Sequence, residues 1–397
     1  MIGKKKILIA QGGGPTVVIN QSLVGVIEEA YKNNFDVIGS LNGVNGIINS
    51  KFLNLSKLSK PEQKLISNTP SAFLGSTRDK PDKKYCEEIF TVLEKNKITK
   101  FFYIGGNDSS DSLKIISEAA KTKNYNLQCI HIPKTIDNDL VLNDHTPGFG
   151  SAAKFVASAF AGINLDVKAL PGIYIGVVMG RHAGFLTASS SLLKKNTMDG
   201  PHLVYLPEIN FNINSFLHDV HEFHRKLGRC VIAVSEGIKD KNNKLIANYL
   251  SKNLDKDAHG NVQLSGISSV GDFLVGNIKN KLKVNRVRSD TFGYLQRSFL
   301  GCSSEIDEKE AKELGRKAFL FSKKTNSSFS VCIKERQNFN TNYSISLGIN
   351  KLSDVAGKTK FMSKRFINTK GNFTTEAFKN YAKPLIGKKF PNFITSL

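Results

Sequence analysis

A chain of 397 residues, 40% hydrophobic and 23% charged, is long enough for two to three packed units, two being the expectation, and no apolar run approaches the eighteen or so residues a membrane helix needs. Its 56 lysines and arginines against 34 acids give a net charge of +22, which favours anionic partners, although a basic solvated surface accounts for it equally well. The 5 cysteines are far apart and form no CxxC pair, so neither a disulfide framework nor a zinc site is indicated, and a reducing cytoplasm is expected.

In chain order, KKILIA predicts a short buried strand, QGGGPT a loop, and INQSLVGVIEEAY a helix, because Ile19, Leu23, Ile27 and Tyr31 recur every four residues. The first apolar run, Ile7 to Ala10, is too short for a secretory signal, and none is expected. FFYIGG predicts a second strand running into glycines, followed by a helix with Leu113, Ile116 and Ala120 on one face. LQCIHIP predicts a third strand, which ends at KTIDND. Strand, glycine loop and helix in succession are the grammar of a parallel sheet with ligands at the carboxyl ends of its strands.

The second half repeats that grammar. GIYIGVVMGR is a strand ending in a polar turn, a helix is expected near AGFLTASSSLL, and RCVIAVSEG is another strand. FGYLQRS forms a further polar cluster, and EIDEKEAKELGRKAFLF reads as a helix with acids early and bases late. HDVHEFH spaces His218, His221 and His224 along a helical stretch; the outer pair diverges by about 120°, so it reads as a solvated face and not a metal site. The expected fold class is α/β, with two lobes, each a mostly parallel sheet flanked by helices. The expected domains are residues 1–147, to which the chain returns around 298–340, residues 148–297, and a C-terminal segment 341–397 without an assigned place.

Each motif has a plain reading beside a chemical one. The glycines of QGGGPT let backbone N–H groups approach an anion, or simply make a tight turn. In IGGNDSSDSL the same design recurs, with Ser109 or Ser110 as an ordinary helix cap in the plain reading. HIPKTIDNDL packs Lys134, Thr135, Asp137 and Asp139 into six residues: a lysine neutralises a phosphoryl group and an aspartate accepts a hydroxyl's proton, whereas the plain reading is a salt-bridged turn. Arg181 in MGRHAG and Arg297 in YLQR suit a fork-like grip on phosphate, though either alone is as ordinary as a surface ion pair.

Taken together and in this order, GGGPTVVIN, LGSTR, IGGNDS, PKTIDND, MGR, SEG and YLQR resemble the phosphofructokinase family. The resemblance implies a two-domain α/β fold and phosphoryl transfer to the 1-hydroxyl of fructose 6-phosphate with Mg2+. By position, Asp137 matches the family's general base, with Thr135 and Asp139 beside it at the transferred phosphoryl and the sugar. Gly13, Gly14 and Arg78 match donor-phosphate contacts. Met179, Gly180, Arg181 and Glu236 match sugar-phosphate contacts, Tyr294 and Arg297 the grip on the 6-phosphate, and Arg288 an arginine reaching it from a neighbouring subunit. The resemblance thus makes the first domain the donor side, the second the sugar side, and the protein a homodimer or homotetramer.

Two positions bear on the donor. ATP-using members carry glycine where this chain has Asp108 and Lys134. A carboxylate obstructs the inner phosphate of ATP, and an ammonium favours a small, highly anionic donor, so the pair resembles the pyrophosphate-dependent branch in its shorter bacterial form. The expected substrates are pyrophosphate and fructose 6-phosphate, with no membrane or nucleic-acid partner; Lys134, Thr135 and Asp137 are the expected catalytic group. The alternatives are an ATP-dependent enzyme and a binding protein that kept the fold without catalysis. Four departures bear on these expectations: Asn107 stands at the family's magnesium-aspartate position, Gly12 replaces a commoner serine with little expected consequence, Gly172 replaces a second intersubunit base, and Val177 a commoner glutamate. Lys168 is a candidate for the missing base.

Overall fold

The computed structural model of the chain describes residues 5–249, 259, 269–337 and 343–395. Its strands run β1 (Lys6–Gln11), β2 (Asp36–Ser40), β3 (Phe52–Asn54), β4 (Lys100–Gly105), β5 (Gln128–Pro133), β6 (Ile173–Val178), β7 (Leu203–Tyr205), β8 (Cys230–Ser235), β9 (Val287–Thr291), β10 (Phe329–Gln337) and β11 (Ser344–Lys351). Two compact units result. The first comprises Met1–Phe149, Asp257–Asn261 and Glu305–Thr359, and the second Gly150–Lys256, Val262–Ser304 and Lys360–Leu397. Of the C-terminal segment, residues 341–342 and 396–397 lie outside the described residues, 343–359 fall in the first unit and 360–395 in the second.

The first unit holds a sheet in the order β11-β10-β5-β4-β1-β2-β3. The pairings β2–β1–β4–β5–β10 are parallel, and the outer strands β3 and β11 are antiparallel. Ile7, Leu8, Ile9 and Ala10 are all fully buried because both faces of β1 are covered, which is why a central parallel strand reads as an unbroken apolar run. Alternation still divides them. Ile7 and Ile9 pack in one cluster with the helices Ile19–Lys32 and Glu305–Lys324, while Leu8 and Ala10 join the opposite cluster with the helices Lys83–Lys95 and Asn107–Thr122.

The second unit holds an all-parallel sheet in the order β7-β8-β6-β9. Its core joins Ile175 and Val177 of β6 with Ile232 and Val234 of β8, packed against Phe216 and Val220 of the helix Ile213–Leu227 and Leu274 and Ile278 of the helix Ser269–Leu282. Val177 therefore occupies a core position, closed to a glutamate unless the charge were paired there. His218 and His221 are exposed on the helix Ile213–Leu227 and His224 is half-buried.

The helix expected near AGFLTASSSLL is only Phe185–Ala188, followed by a 3-10 turn at Ser189–Ser191. The serines explain the shortening. Ser189 Oγ donates to Phe185 O at 2.9 Å and Ser191 Oγ to Ala188 O at 2.9 Å, so hydroxyls compete with backbone N–H groups for the helix's carbonyls.

Candidate active site

In the first unit the ends of β1, β4 and β5 lie side by side, since Gln11 is in register with Ile104 and Gly105 with Pro133. Three loops therefore leave the sheet at one edge. Gly12 N–H donates to Ile104 O (2.9 Å) and Gly13 N–H to Thr77 O (3.0 Å), while Ser76 Oγ donates to Gly13 O at 2.6 Å. The LGSTR segment thus braces the glycine loop and brings half-buried Arg78 beside it. Gly13 has φ +72°, a left-handed conformation that glycine adopts without strain.

A Cβ at Gly12 would come within 2.6 Å of both Ser109 Oγ and the ring carbon Cζ of Tyr103, which is fully buried. Tyr103 thus fills the space a serine's side chain would need, so the glycine at this position is matched to its buried neighbour.

Lys134 continues β5 by donating its backbone N–H to Gly105 O at 3.0 Å, and its side chain turns into the glycine loop. Its ammonium donates to Gly12 O at 2.9 Å and Gly14 O at 2.5 Å, with 2% of the residue exposed. A full charge is thereby held within the backbone that faces the strand-end crevice, with backbone carbonyls compensating its desolvation.

The helix Asn107–Thr122 starts from Gly106 with no side-chain cap. The plain reading of Ser109 or Ser110 as the cap is thus corrected: both lie inside the first turn, and Ser110 Oγ donates to Asn107 O at 2.8 Å. Asp108 also sits in that first turn, where the helix dipole favours a carboxylate; its Oδ1 lies 3.9 Å from His259 Nδ1.

Along KTIDND, half-buried Thr135, Asp137 and Asp139 alternate with buried Ile136, Asn138 and Leu140. Asp137 N–H donates to Thr135 Oγ1 at 3.1 Å, and Thr135 N–H to Pro147 O at 3.1 Å. Asn138, left-handed at φ +57°, accepts the Thr146 N–H at 3.0 Å and turns the chain between the two aspartates. Asp139 Oδ2 accepts from Asn107 Nδ2 at 2.8 Å. The sequence did not single out Asn138, whose type alone carries no sign of a left-handed turn with a distant partner.

Asn107 Oδ1 is buried and has no hydrogen-bond partner among the described residues. An orphaned neutral oxygen next to Asp139 suits a hard divalent cation or its bound water. Among the described residues no group of three or more His, Cys, Asp or Glu forms a protein cage for a metal. Few protein ligands completed by substrate phosphates and water is how Mg2+ is usually held, so the residues fit it.

In the second unit, the ends of β6 and β8 interlock. Ser235 Oγ donates to Gly180 O at 2.7 Å and accepts the Gly237 N–H at 3.1 Å, and Glu236 N–H donates to Val178 O at 2.9 Å. Gly180 has φ +140°, and a Cβ there would lie 2.7 Å from Ala183 O. Gln296 Oε1 accepts the Met179 N–H at 3.4 Å, tying YLQR to the MGR turn. Arg297 lies over the Tyr294 ring, 4.6 Å from its centroid. Arg181 Nε is buried without a hydrogen-bond partner among the described residues, a donor suited to an anion. Burial, with Arg181 and Lys239 nearby, lowers the pKa of His182, so the cationic character of this turn rests on the arginine.

Arg288 does not join that cluster within its own unit. It is exposed on the edge strand β9 in register with Tyr174, five residues and so about 16 Å before Met179 along the sheet. Lys168, the candidate for a missing base, is committed elsewhere: its ammonium lies 2.6 Å from Asp199 Oδ1 and also bonds Thr395 O. At Gly172 a Cβ would lie 2.8 Å from Arg286 O, so the residue leading into β9 leaves no room for a basic side chain there.

Glycine-braced loops and a helix N-terminus at parallel strand ends define an α/β protein built to hold phosphate groups. The chain belongs to the phosphofructokinase family: the profile described as Phosphofructokinase matches residues 6–321. It is 53% identical, over 98% of its length and 96% of the relative's, to a pyrophosphate--fructose 6-phosphate 1-phosphotransferase of Rhodospirillum rubrum. Among solved structures, the pyrophosphate-dependent phosphofructokinase from Nitrosospira multiformis matches with a TM-score of 0.86 at 31% identity, covering 99% of this chain and 95% of that one. The corresponding protein from Marinobacter aquaeolei matches at 0.84, also with 31% identity, over 98% of this chain and 94% of its own.

Proposed function

We propose that this chain is a pyrophosphate-dependent 6-phosphofructokinase, transferring a phosphoryl group reversibly from pyrophosphate to the 1-hydroxyl of fructose 6-phosphate in glycolysis and gluconeogenesis. The observation that carries the donor assignment is Lys134, whose ammonium is built into the glycine loop at Gly12 and Gly14 where ATP-using relatives have glycine. Asp108, in the first turn of the adjoining helix, obstructs the inner phosphate of a nucleotide. The 53% identity to an enzyme of that name supports the same reading.

In this mechanism Asp137 takes the proton from the 1-hydroxyl as that oxygen attacks one phosphorus of pyrophosphate. The bridging P–O bond breaks, and the products are fructose 1,6-bisphosphate and phosphate. Gly13, Gly14, Arg78 and Lys134 bind the donor, and Thr135 orients the transferred group. Met179, Gly180, Arg181, Glu236, Tyr294 and Arg297 bind the sugar phosphate, with Asp139 at the sugar's reacting end. Asn107 and Asp139 would hold Mg2+, which neutralises donor charge when bound with pyrophosphate.

The exposure of Arg288 on an edge strand supports its use by a neighbouring copy, and hence a homodimer or homotetramer. No helix among the described residues is long and apolar enough to cross a membrane. The five cysteines are free, in keeping with a cytoplasmic enzyme. A coupled assay offering pyrophosphate or ATP with fructose 6-phosphate tests the reading. Turnover with pyrophosphate alone is expected, and turnover confined to ATP would overturn the donor assignment.

A further inference from the structure

The acidic motif Asp137–Asp139 begins a loop whose far end, Asp144–Gly148, is bound by buried charges that the mechanism does not use. His145 Nδ1 lies 2.8 Å from Asp144 Oδ1 and its Nε2 lies 2.6 Å from Glu310 Oε2, with 2% of the side chain exposed. The remaining Glu310 oxygen, Oε1, accepts from the Tyr343 hydroxyl, and Arg336 Nε lies 2.6 Å from Asp144 Oδ1. Among the described residues the imidazole thus faces Asp144 of the loop itself, Glu310 of the helix Glu305–Lys324 and Tyr343, the residue preceding β11, while Arg336 of β10 reaches it through Asp144. A neutral imidazole has only one N–H, so one ring nitrogen would direct a lone pair at a carboxylate oxygen; both contacts are satisfied only by the imidazolium.

The loop carries this clamp to the aspartates over a short path. Thr146, next to His145, donates its N–H to Asn138 Oδ1, between Asp137 and Asp139. Thr135 N–H bonds Pro147 O, and Gly148 N–H bonds Asp307 Oδ1 at 2.9 Å, one turn of helix before Glu310. Both ends of the catalytic loop are therefore fixed together, and His145 joins them to the helix.

We propose that His145 is a positioning residue for phosphoryl transfer, holding the loop of Asp137 and Asp139 in register as an imidazolium clamped between Asp144 and Glu310. The inference rests on the assignment of Asp137 as the base. Burial works against the imidazolium, but Glu310 and Asp144 outweigh it and raise the His145 pKa. The clamp is therefore complete at low pH and is lost as pH rises through that raised value.

The test is the pH profile of kcat for the full-length wild type, Glu310→Gln and Asp144→Asn, with folding checked by thermal melts at pH 6. Removing either carboxylate weakens the hold on the proton, so the alkaline fall in kcat should move down by about one pH unit. At pH 6 kcat should stay within about twofold of wild type, and KM for pyrophosphate should not change. Variants that are folded and equally slow at every pH, or that superimpose on wild type, would overturn the proposal. NMR titration of the His145 ring separates this from the reaction assignment. A ring titrating below the ordinary histidine value overturns the clamp even if the enzyme proves to use another donor.

Discussion

The ammonium of Lys134 is bonded to the carbonyl oxygens of both Gly12 and Gly14, so the cation at the end of β5 forms part of the glycine loop at the end of β1. In the proposed mechanism, structure and donor chemistry are thus coupled in one side chain. Lys134→Met should leave both carbonyls without this donor and cost about 1–3 kcal/mol of stability. It should also lower kcat/KM for pyrophosphate by about 100-fold through loss of charge at the donor. Thermal melts with steady-state kinetics check both, and a loss of activity without any loss of stability would separate the lysine from the loop.

In the proposed mechanism Asp137 takes the proton of the sugar hydroxyl. Its backbone N–H makes the local bond to Thr135 Oγ1, and that bond survives a side-chain change. Asp137→Asn should reduce kcat by about 10²–10⁴ while the melting temperature and the KM for fructose 6-phosphate stay near wild type. A variant retaining a tenth of the wild-type kcat would rule the residue out as the base.

Asp108, proposed to obstruct the inner phosphate of a nucleotide, can be changed at little structural cost. It lies in a helix's first turn with its side chain 39% exposed, so Asp108→Gly should destabilise by only about 1 kcal/mol. Turnover with ATP should become measurable in this variant and pyrophosphate turnover should fall. Rates with both donors at equal concentration provide the readout, and unchanged donor preference would remove Asp108 from the discrimination.

Gly12 faces a rigid wall. Gly12→Ser places its Cβ against Tyr103 and Ser109, and overpacking of this kind costs about 1–3 kcal/mol. Tyr103→Phe in the same chain should restore part of the loss, because the hydroxyl is one of the colliding groups. A chemical-denaturation series on the two single variants and the double variant measures that coupling.

Lys168 and Asp199 form a structural pair. Asp199 is 1% exposed and also accepts the N–H groups of Lys195 (3.2 Å) and Asn196 (3.1 Å). Burial raises the Asp199 pKa, but the bonds from Lys168, Asn164 and Asn196 outweigh it and leave the net value lowered. A lowered carboxyl pKa contributes stability above the unfolded value near pH 4, and that stability is lost as pH falls through the folded value. Acid unfolding of wild type should therefore be steeper below pH 4 than that of Asp199→Asn. Lys168→Met should destabilise the protein but keep kcat, whereas a large loss of kcat in a folded variant would restore the lysine to the chemistry.

The fold class, the glycine loops at the ends of β1 and β4 and the acidic motif after β5 were legible in the sequence alone. These signals are local: buried parallel strands read as apolar runs, and the loops after them carry their chemistry in consecutive letters. The sequence did not reveal β2, β3, β7, β9, β10 or β11, whose place depends on pairing with distant strands. It also placed a longer helix after the MGR turn than forms, because the serines' competition for carbonyls is decided in the packed chain. Only the tertiary structure showed Lys134 inside the glycine loop, Lys168 committed to Asp199, Tyr103 beneath Gly12, and His145 between two carboxylates. Each of those roles joins residues far apart in sequence at distances of a few ångströms, and side-chain type alone does not specify the partner it will meet.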